Sequence, residues 1–168
     1  MLEWTEVRVV DAADLLLVAS ASGIRAIEFD PQPVSEWPRN DGNPLLLEAA
    51  SQLRAYFAGA LHEFLLPLDI EGTDFQKRVW GQVAAIPYGE TRSYLQIAVA
   101  IGSPRAVRAV GAANGANPVP IVVPCHRVIG AHGELVGYGG GLAMKKRLLE
   151  LEGCTSMSFP ITEPRPIM

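Results

Sequence analysis

The chain has 168 residues, 49% of them hydrophobic, and a formal net charge of −4. That length supports one domain or two small ones around a buried core; no apolar run reaches the roughly 20 residues a membrane-spanning helix needs, and the N-terminus lacks the layout of a secretory signal. Two cysteines, Cys125 and Cys154, exclude a disulfide framework and fit reduced thiols of a cytoplasmic protein, and with only His62, His126 and His132 beside them four-ligand zinc spacing is absent.

In chain order, residues 6–10 (EVRVV), 15–19 (LLLVA) and 24–29 (IRAIEF) read as short strands, the last two joined by a turn at Ser22-Gly23. A loop rich in Pro, Asn, Gly and Asp runs from Pro31 to Asn43. A helix follows, with Asn43 as N-cap, Pro44 in its first position and Gly59 past its end. Leu46, Ala49, Ala50, Leu53, Tyr56 and Phe57 fall on one face of it. The low-charge segment 60–72 links this unit to the next.

Thr73-Asp-Phe-Gln76 fits a capping box, in which the threonine and glutamine side chains satisfy free backbone donors. The helix it opens carries Phe75, Val79, Val83 and Ile86 at helical spacing and stops at Pro87-Tyr-Gly. A second capping box, Ser93-Tyr-Leu-Gln96, opens a short helix ending near Gly102, and Ser103-Pro104 is expected to start another that runs to about Gly115. Two short helices around a tight turn follow the helix-turn-helix plan, which any helical hairpin shares. In the second, Ala106, Ala109, Gly111, Ala112 and Ala113 leave much backbone bare, and Arg105 and Arg108 project from one side. Such a helix either lies close on a nucleic acid, with arginines on phosphate or base, or packs on a neighbour with its arginines in solvent.

Asn117-Pro-Val-Pro120 is a stiff irregular segment leading to the apolar Ile121–Val123, and 128–138 reads as a hairpin or compact loop around His132-Gly133. Gly137-Tyr-Gly-Gly-Gly141 is flexible backbone around one aromatic ring. A final amphipathic helix spans about 142–152, with Met144, Leu148 and Leu151 on one stripe and Gly153 past its end. The tail 154–168, with three prolines and no period, is expected to be disordered. The pattern is α+β: a small N-terminal strand/helix domain over 1–72, then a mainly helical domain with a helix-turn-helix over 73–153.

Charge is divided unevenly between the halves. Residues 1–74 hold 4 Lys/Arg and 13 Asp/Glu, whereas residues 75–152 hold 9 Lys/Arg and 4 Asp/Glu. A basic second half suits an anionic partner, although many soluble proteins are equally lopsided.

The chemistry concentrates in VVPCHRVIG, residues 122–130. A free thiol titrates near pH 8.5, so a nucleophilic cysteine needs a lowered pKa or a nearby base. His126 and Arg127 supply a candidate base and a fixed positive charge beside Cys125, with a water to relay the proton because adjacent side chains diverge. Glu152, in the last turn of the final helix where a carboxylate opposes the dipole, is a candidate to orient His126. Equally, Cys125 is a buried small hydrophobe, the usual fate of a free cysteine.

Together, IPYGETRSY (86–94), RAVRAVGAANGANPVPIVVPCHRVIG (105–130), GYGGG (137–141) and KKRLLELEG (145–153) closely resemble the O6-alkylguanine-DNA alkyltransferases, the methylated-DNA–protein-cysteine methyltransferases. The resemblance covers about half the chain; the acidic first unit is similar in layout only. It implies that Cys125 accepts the alkyl group from guanine O6 by in-line displacement, that His126 is the base acting through water, and that Glu152 orients it. It implies further that the Tyr94 hydroxyl donates to the guanine ring and that Asn117 braces the loop. Tyr138, Gly139 and the backbone of Val123 and Val128 would form the base pocket, Gly139 standing where some relatives carry serine.

In that family Arg108 fills the space of an extruded nucleotide, since the alkylated oxygen lies inside the stacked duplex. The recognition helix lies in the minor groove, which suits small residues such as Ala106, Ala109 and Ala112, with Arg105 and Ser93 beside them. The expected partner is double-stranded DNA carrying alkylated guanine, met by a monomer that can cluster along the duplex. The transfer would be stoichiometric, with no cofactor and no metal. Three competing readings are a non-catalytic lesion sensor, a sequence-specific regulator and a hydrolytic Cys-His enzyme. The first lacks the acceptor cysteine in the family, and the second wants base-reading side chains where alanines stand. The third would regenerate its thiol, which turnover on an ester would reveal.

Overall fold

A computed structural model describes residues 1–32, 34 and 36–154. It divides into two compact units, Met1–Glu71 and a second from Gly72 onward. The tail expected to be disordered lies, Cys154 apart, outside the described residues. No helix among them is long and apolar enough to cross a membrane.

The first unit is an antiparallel meander of β1 (Glu3–Val9), β2 (Ala13–Ala19) and β3 (Ile24–Phe29), with β2 central and a register that sets Val7 and Phe29 opposite Leu15. β3 matches the expected 24–29, whereas β1 and β2 begin earlier than the apolar pattern alone suggests, because they pair along their full length. The run Leu15–Ala19 is buried throughout because both faces of β2 are covered. Leu16 and Val18 cluster with Trp4, Val34 and Trp37, while α1 (Pro44–Phe57) packs on β1 and β2 with Leu46, Ala49, Ala50, Leu53 and Tyr56 buried. Its start is local chemistry: the Asn43 side chain accepts from the Leu45 and Leu46 amides, and Pro44 needs no partner there.

Two segments read from sequence as irregular close the sheet edges, which otherwise expose unpaired amides. Trp4 N–H donates to Pro38 O at 3.2 Å, and Asn40 N–H donates to Trp4 O at 2.9 Å. On the other edge Ile24 N–H donates to Pro67 O at 2.8 Å and Asp69 N–H to Ile24 O at 2.9 Å. Segment 60–72 is therefore more than a linker: Asp69 is held against β3 by Arg25 at 2.8 Å.

The second unit begins with α2 (Asp74–Ala84), whose Thr73–Gln76 capping box forms as expected, and which buries Val79, Trp80 and Val83. A second complete capping box, Ser93 with Gln96, opens α3 (Tyr94–Ala100). Trp80 Nε1 donates to Ala113 O at 2.7 Å, fixing α2 to α4 (Val107–Gly115). The expected helix start at Ser103-Pro104 is one turn early. Ala106 N–H closes on Ser103 O, and the first α-type bond runs from Val110 to Ala106. Arg105 thus lies in the turn before α4 and Ala106 at its cap, so Arg105 and Arg108 do not share a helical face. Of the hairpin or compact loop expected over 128–138, Gly130–Glu134 closes a compact turn, and Val128–Ile129 (β5) pairs in parallel with Arg92–Ser93 (β4). The last helix, α5 (Leu142–Leu151), buries Lys145, Leu148 and Leu149 rather than the expected stripe through Met144 and Leu151.

A Cβ on Gly23 would stand 2.7 Å from the Leu68 carbonyl carbon and the Pro67 oxygen, both main-chain atoms that cannot swing aside. Gly23→Ala is expected to destabilise the protein by about 1–3 kcal/mol, the usual cost of overpacking. A denaturant titration checks this; an unchanged midpoint would mean that segment 67–69 does not seat on β3.

Candidate active site around Cys125

The site depends on a pairing too short to announce itself in sequence. The two-residue ladder β4–β5 brings the first residue of α3, Tyr94, beside the chain that leaves Cys125. Between α4 and Cys125, Asn117 organises the loop: its Nδ2 donates to Val123 O at 2.7 Å and its Oδ1 accepts from Val119 N at 3.0 Å. Ile121 within that loop has φ +74° although it is β-branched and buried. Such a conformation costs of order 1–3 kcal/mol and persists only where surrounding packing imposes it.

Cys125, His126 and Arg127 form one 3-10 turn, with all three side chains buried. His126 Nε2 lies 2.8 Å from Glu152 Oε1. Arg127 grips the same carboxylate twice, Nε on Oε2 and Nη2 on Oε1, each at 2.8 Å, and spends Nη1 on Ile86 O at 2.6 Å. Glu152 is the C-cap of α5 rather than a residue of its last turn. The carboxylate accepts both arginine donors, so the hydrogen on the shared imidazole edge belongs to His126 Nε2, and Nδ1 carries the lone pair. Burial lowers the His126 pKa, against the opposing pull of Glu152, and so disfavours the charged ring.

Burial pushes the Cys125 thiol up; Asn117, the Lys145 ammonium and the amides of Cys125 and His126 pull it down. The expectation that Arg127 supplies the positive charge for the thiol is overturned, because its guanidinium is committed to Glu152. Lys145 takes that place. Its Nζ donates to Val128 O at 2.7 Å, Gly137 O at 3.3 Å and Val136 O at 3.5 Å, and lies 5.9 Å from the centre of the Tyr94 ring. Burial brings the Lys145 pKa down to about 8. Sequence reading passed over this residue as one charge among KKR. The available signal was its spacing, three and four residues before Leu148 and Leu149.

A cavity of about 270 Å³ opens onto Cys125, and Tyr94, Asn114, Asn117, Val136, Tyr138 and Gly139 are among its walls. Val123 and Val128 are not among them: both are buried, with carbonyls that accept from Asn117 and Lys145. Val136 and Gly137 stand in their place. The Tyr94 hydroxyl donates to Val136 O at 2.9 Å, and burial pushes its pKa up to about 12, so it remains a donor. Nothing lies within 4 Å of a Cβ built on Gly139. Cys154, the other thiol, packs with Leu135 and Leu149. On the outer side of α4, Arg108, Ala109 and Ala112 are exposed and Ala106 is half-buried; Arg105 is exposed in the preceding turn. Ser93 is half-buried and its hydroxyl oxygen accepts the Gln96 amide.

Lys145→Met removes the ammonium that favours the thiolate. Its Cys125 is expected to react with iodoacetamide about tenfold more slowly at neutral pH, the effect of one pKa unit on the thiolate fraction. The gap should narrow as pH rises through about 8, where the wild-type lysine loses its own charge. Equal rates across that range would show that Lys145 does not act on the thiol.

Residues 74–154 match the family model described as the 6-O-methylguanine DNA methyltransferase DNA-binding domain, and residues 14–70 match that of its ribonuclease-like domain. The chain is 58% identical over 124 residues to a methylated-DNA–protein-cysteine methyltransferase of Mycobacterium leprae, covering 74% of this chain and 73% of that protein. It is 50% identical over 143 residues to one from Methanosarcina barkeri, covering 82% and 89%. The crystal structure of the Mycobacterium tuberculosis protein in complex with DNA superposes with a TM-score of 0.81 at 48% identity, over 91% of this chain and 92% of that one. On its sequence and its fold, this chain belongs to the methylated-DNA–protein-cysteine methyltransferase family.

Proposed function

We propose that this chain repairs DNA by moving the alkyl group of an O6-alkylguanine onto Cys125, one group per protein molecule. The observation that carries this reading is the buried cysteine lining a base-sized cavity, one residue from a histidine held by a carboxylate. The step is a displacement at carbon. The Cys125 sulfur forms a bond to the alkyl carbon as the carbon–O6 bond breaks, and its electron pair stays with guanine. The thiol proton leaves through His126, with a water as relay, and ends on the guanine ring. A thioether and an intact guanine result, with no external reductant or oxidant needed.

Burial suits such a nucleophile, because a dry site strengthens every dipole aimed at the developing thiolate. Asn117 and two backbone amides are so aimed. Tyr94 would turn its hydroxyl from Val136 O to the ring of the entering base, leaving that carbonyl with Lys145. The target oxygen lies within a stacked duplex, so the nucleotide has to be extruded. Arg108, exposed at the first turn of α4, would occupy the gap it leaves, while Ala109 and Ala112 let the helix sit close in the minor groove. Arg105, Ala106 and Ser93 would flank it at the backbone. A relative solved on DNA supports the partner. The reaction suits a compartment such as the cytoplasm, where thiols stay reduced. We propose further that a single protein molecule acts at each lesion.

Intact mass before and after mixing with a duplex bearing one O6-methylguanine tests the reading. The expected gain is one methyl group on the Cys125 peptide, at one equivalent and no more. Cys125→Ser should gain none, and continued turnover, or binding without any gain, would refute the proposal. Arg108→Ala is expected to slow transfer from the duplex by tenfold or more, roughly 1.4 kcal/mol of barrier, while leaving reaction with a free O6-alkylguanine base unchanged. An equal loss on both substrates would place Arg108 outside nucleotide extrusion.

A further inference from the structure

The role given to His126 has a requirement that a histidine and a glutamate alone do not meet. A carboxylate and an imidazole sealed from water attract a proton between them, and an imidazolium accepts no proton from a thiol. Both side chains here are fully buried, at 0% exposure. What balances the carboxylate is Arg127, with two donors on its two oxygens and a third on Ile86 O. The Arg127 guanidinium also lies 5.7 Å from the centre of the Tyr88 ring, and the Tyr88 hydroxyl donates to Leu151 O at 3.3 Å. The guanidinium is therefore held from three sides, and its geometry is set independently of His126.

We infer that Arg127 is a positioning residue that acts through Glu152 to keep His126 neutral, with its hydrogen on Nε2 and its lone pair on Nδ1. The functional consequence rests on the proposed reading of His126 as proton acceptor; the protonation state itself does not. With Arg127 in place, carboxylate and guanidinium cancel, and a proton added to His126 would be an unbalanced buried charge. Without Arg127 the same carboxylate becomes the unbalanced charge, and the pair relieves it by taking up a proton. The other groups facing His126 do not replace it. Lys145, reaching in from α5, is occupied by three carbonyls, Tyr138 presents a ring at 6.4 Å, and Cys125 is a thiol on the same turn. Burial is the largest effect on His126 and lowers its pKa; against it Glu152 raises the pKa, and the charges of Arg127 and Lys145 lower it, the direction the inference requires.

The test reads His126 directly. In full-length protein with 15N-labelled imidazoles, three histidines give three sets of signals, and His126→Gln assigns the one of interest. Wild type is expected to keep a neutral Nε2–H ring at pH 7. Arg127→Met should show either an imidazolium or a shift of the hydrogen to Nδ1, and its methyl-transfer rate should fall off at least one pH unit higher on the acid side. Arg127→Lys, which keeps a positive charge, should retain the neutral Nε2–H ring. If Arg127→Met does not fold, Arg127→Met with Glu152→Gln removes both charges and should fold with a neutral His126 no longer fixed as Nε2–H. An unchanged Nε2–H ring in Arg127→Met, an imidazolium in Arg127→Lys, or a fixed Nε2–H ring in the double variant overturns the inference. A charged His126 in Arg127→Met with undiminished transfer would uphold the inference and refute the base role of His126.

Discussion

The Glu152 carboxylate is the point on which the catalytic unit turns. It accepts from His126 and twice from Arg127, and it joins the end of α5 to the Cys125 turn and, through Arg127, to Ile86 beyond the end of α2. Burying an ion costs several kcal/mol, recovered only when each lone pair finds a donor in good geometry. Three charge-assisted bonds do that here. Taking away one partner of such an arrangement typically costs about 3–5 kcal/mol, because the remaining charge stays in the interior. The same carboxylate that orders this part of the fold thus orients the imidazole.

Around that point the unit is built to present a largely buried thiol at the wall of a small cavity. The Asn117 side chain closes the loop before Cys125 by bonding both ends of it, and Ile121 accepts a left-handed backbone to make the turn. Lys145 ties Val128 to Val136 and Gly137, so the wall of the cavity is hung from α5. Tyr94 is set at the start of α3 by the Ser93 cap and by the β4–β5 ladder. The nucleophile and its proton acceptor share one turn, and the base-facing hydroxyl comes from a separate stretch of chain at the start of α3.

What was legible in the sequence is largely what is local. Asn43, Thr73 and Ser93 act within four residues of themselves, so their caps could be read directly. The pairing of Cys125 with His126 and the oddly placed Glu152 carboxylate were visible for the same reason. Less legible was anything decided by a distant partner. Arg127 looked like a charge for the thiol until Glu152, 25 residues on, claimed it. Lys145 drew no reading of its own, yet three carbonyls hold it inside. The resemblance placed the backbone of Val123 and Val128 on the pocket, but their carbonyls accept from Asn117 and Lys145. The start of α4 shifted by a turn because Ser103 closes a tight turn instead of capping a helix.

The central claim is that Glu152 makes His126 the acceptor of the Cys125 proton. The most direct measurement is the single-turnover rate of methyl transfer from an O6-methylguanine duplex in Glu152→Gln, with circular dichroism to establish that the variant is folded. General-base assistance is worth about 10²–10⁴ in rate, so a fall of about a hundredfold or more is expected in a folded variant. A folded Glu152→Gln that transfers at the wild-type rate would contradict the account.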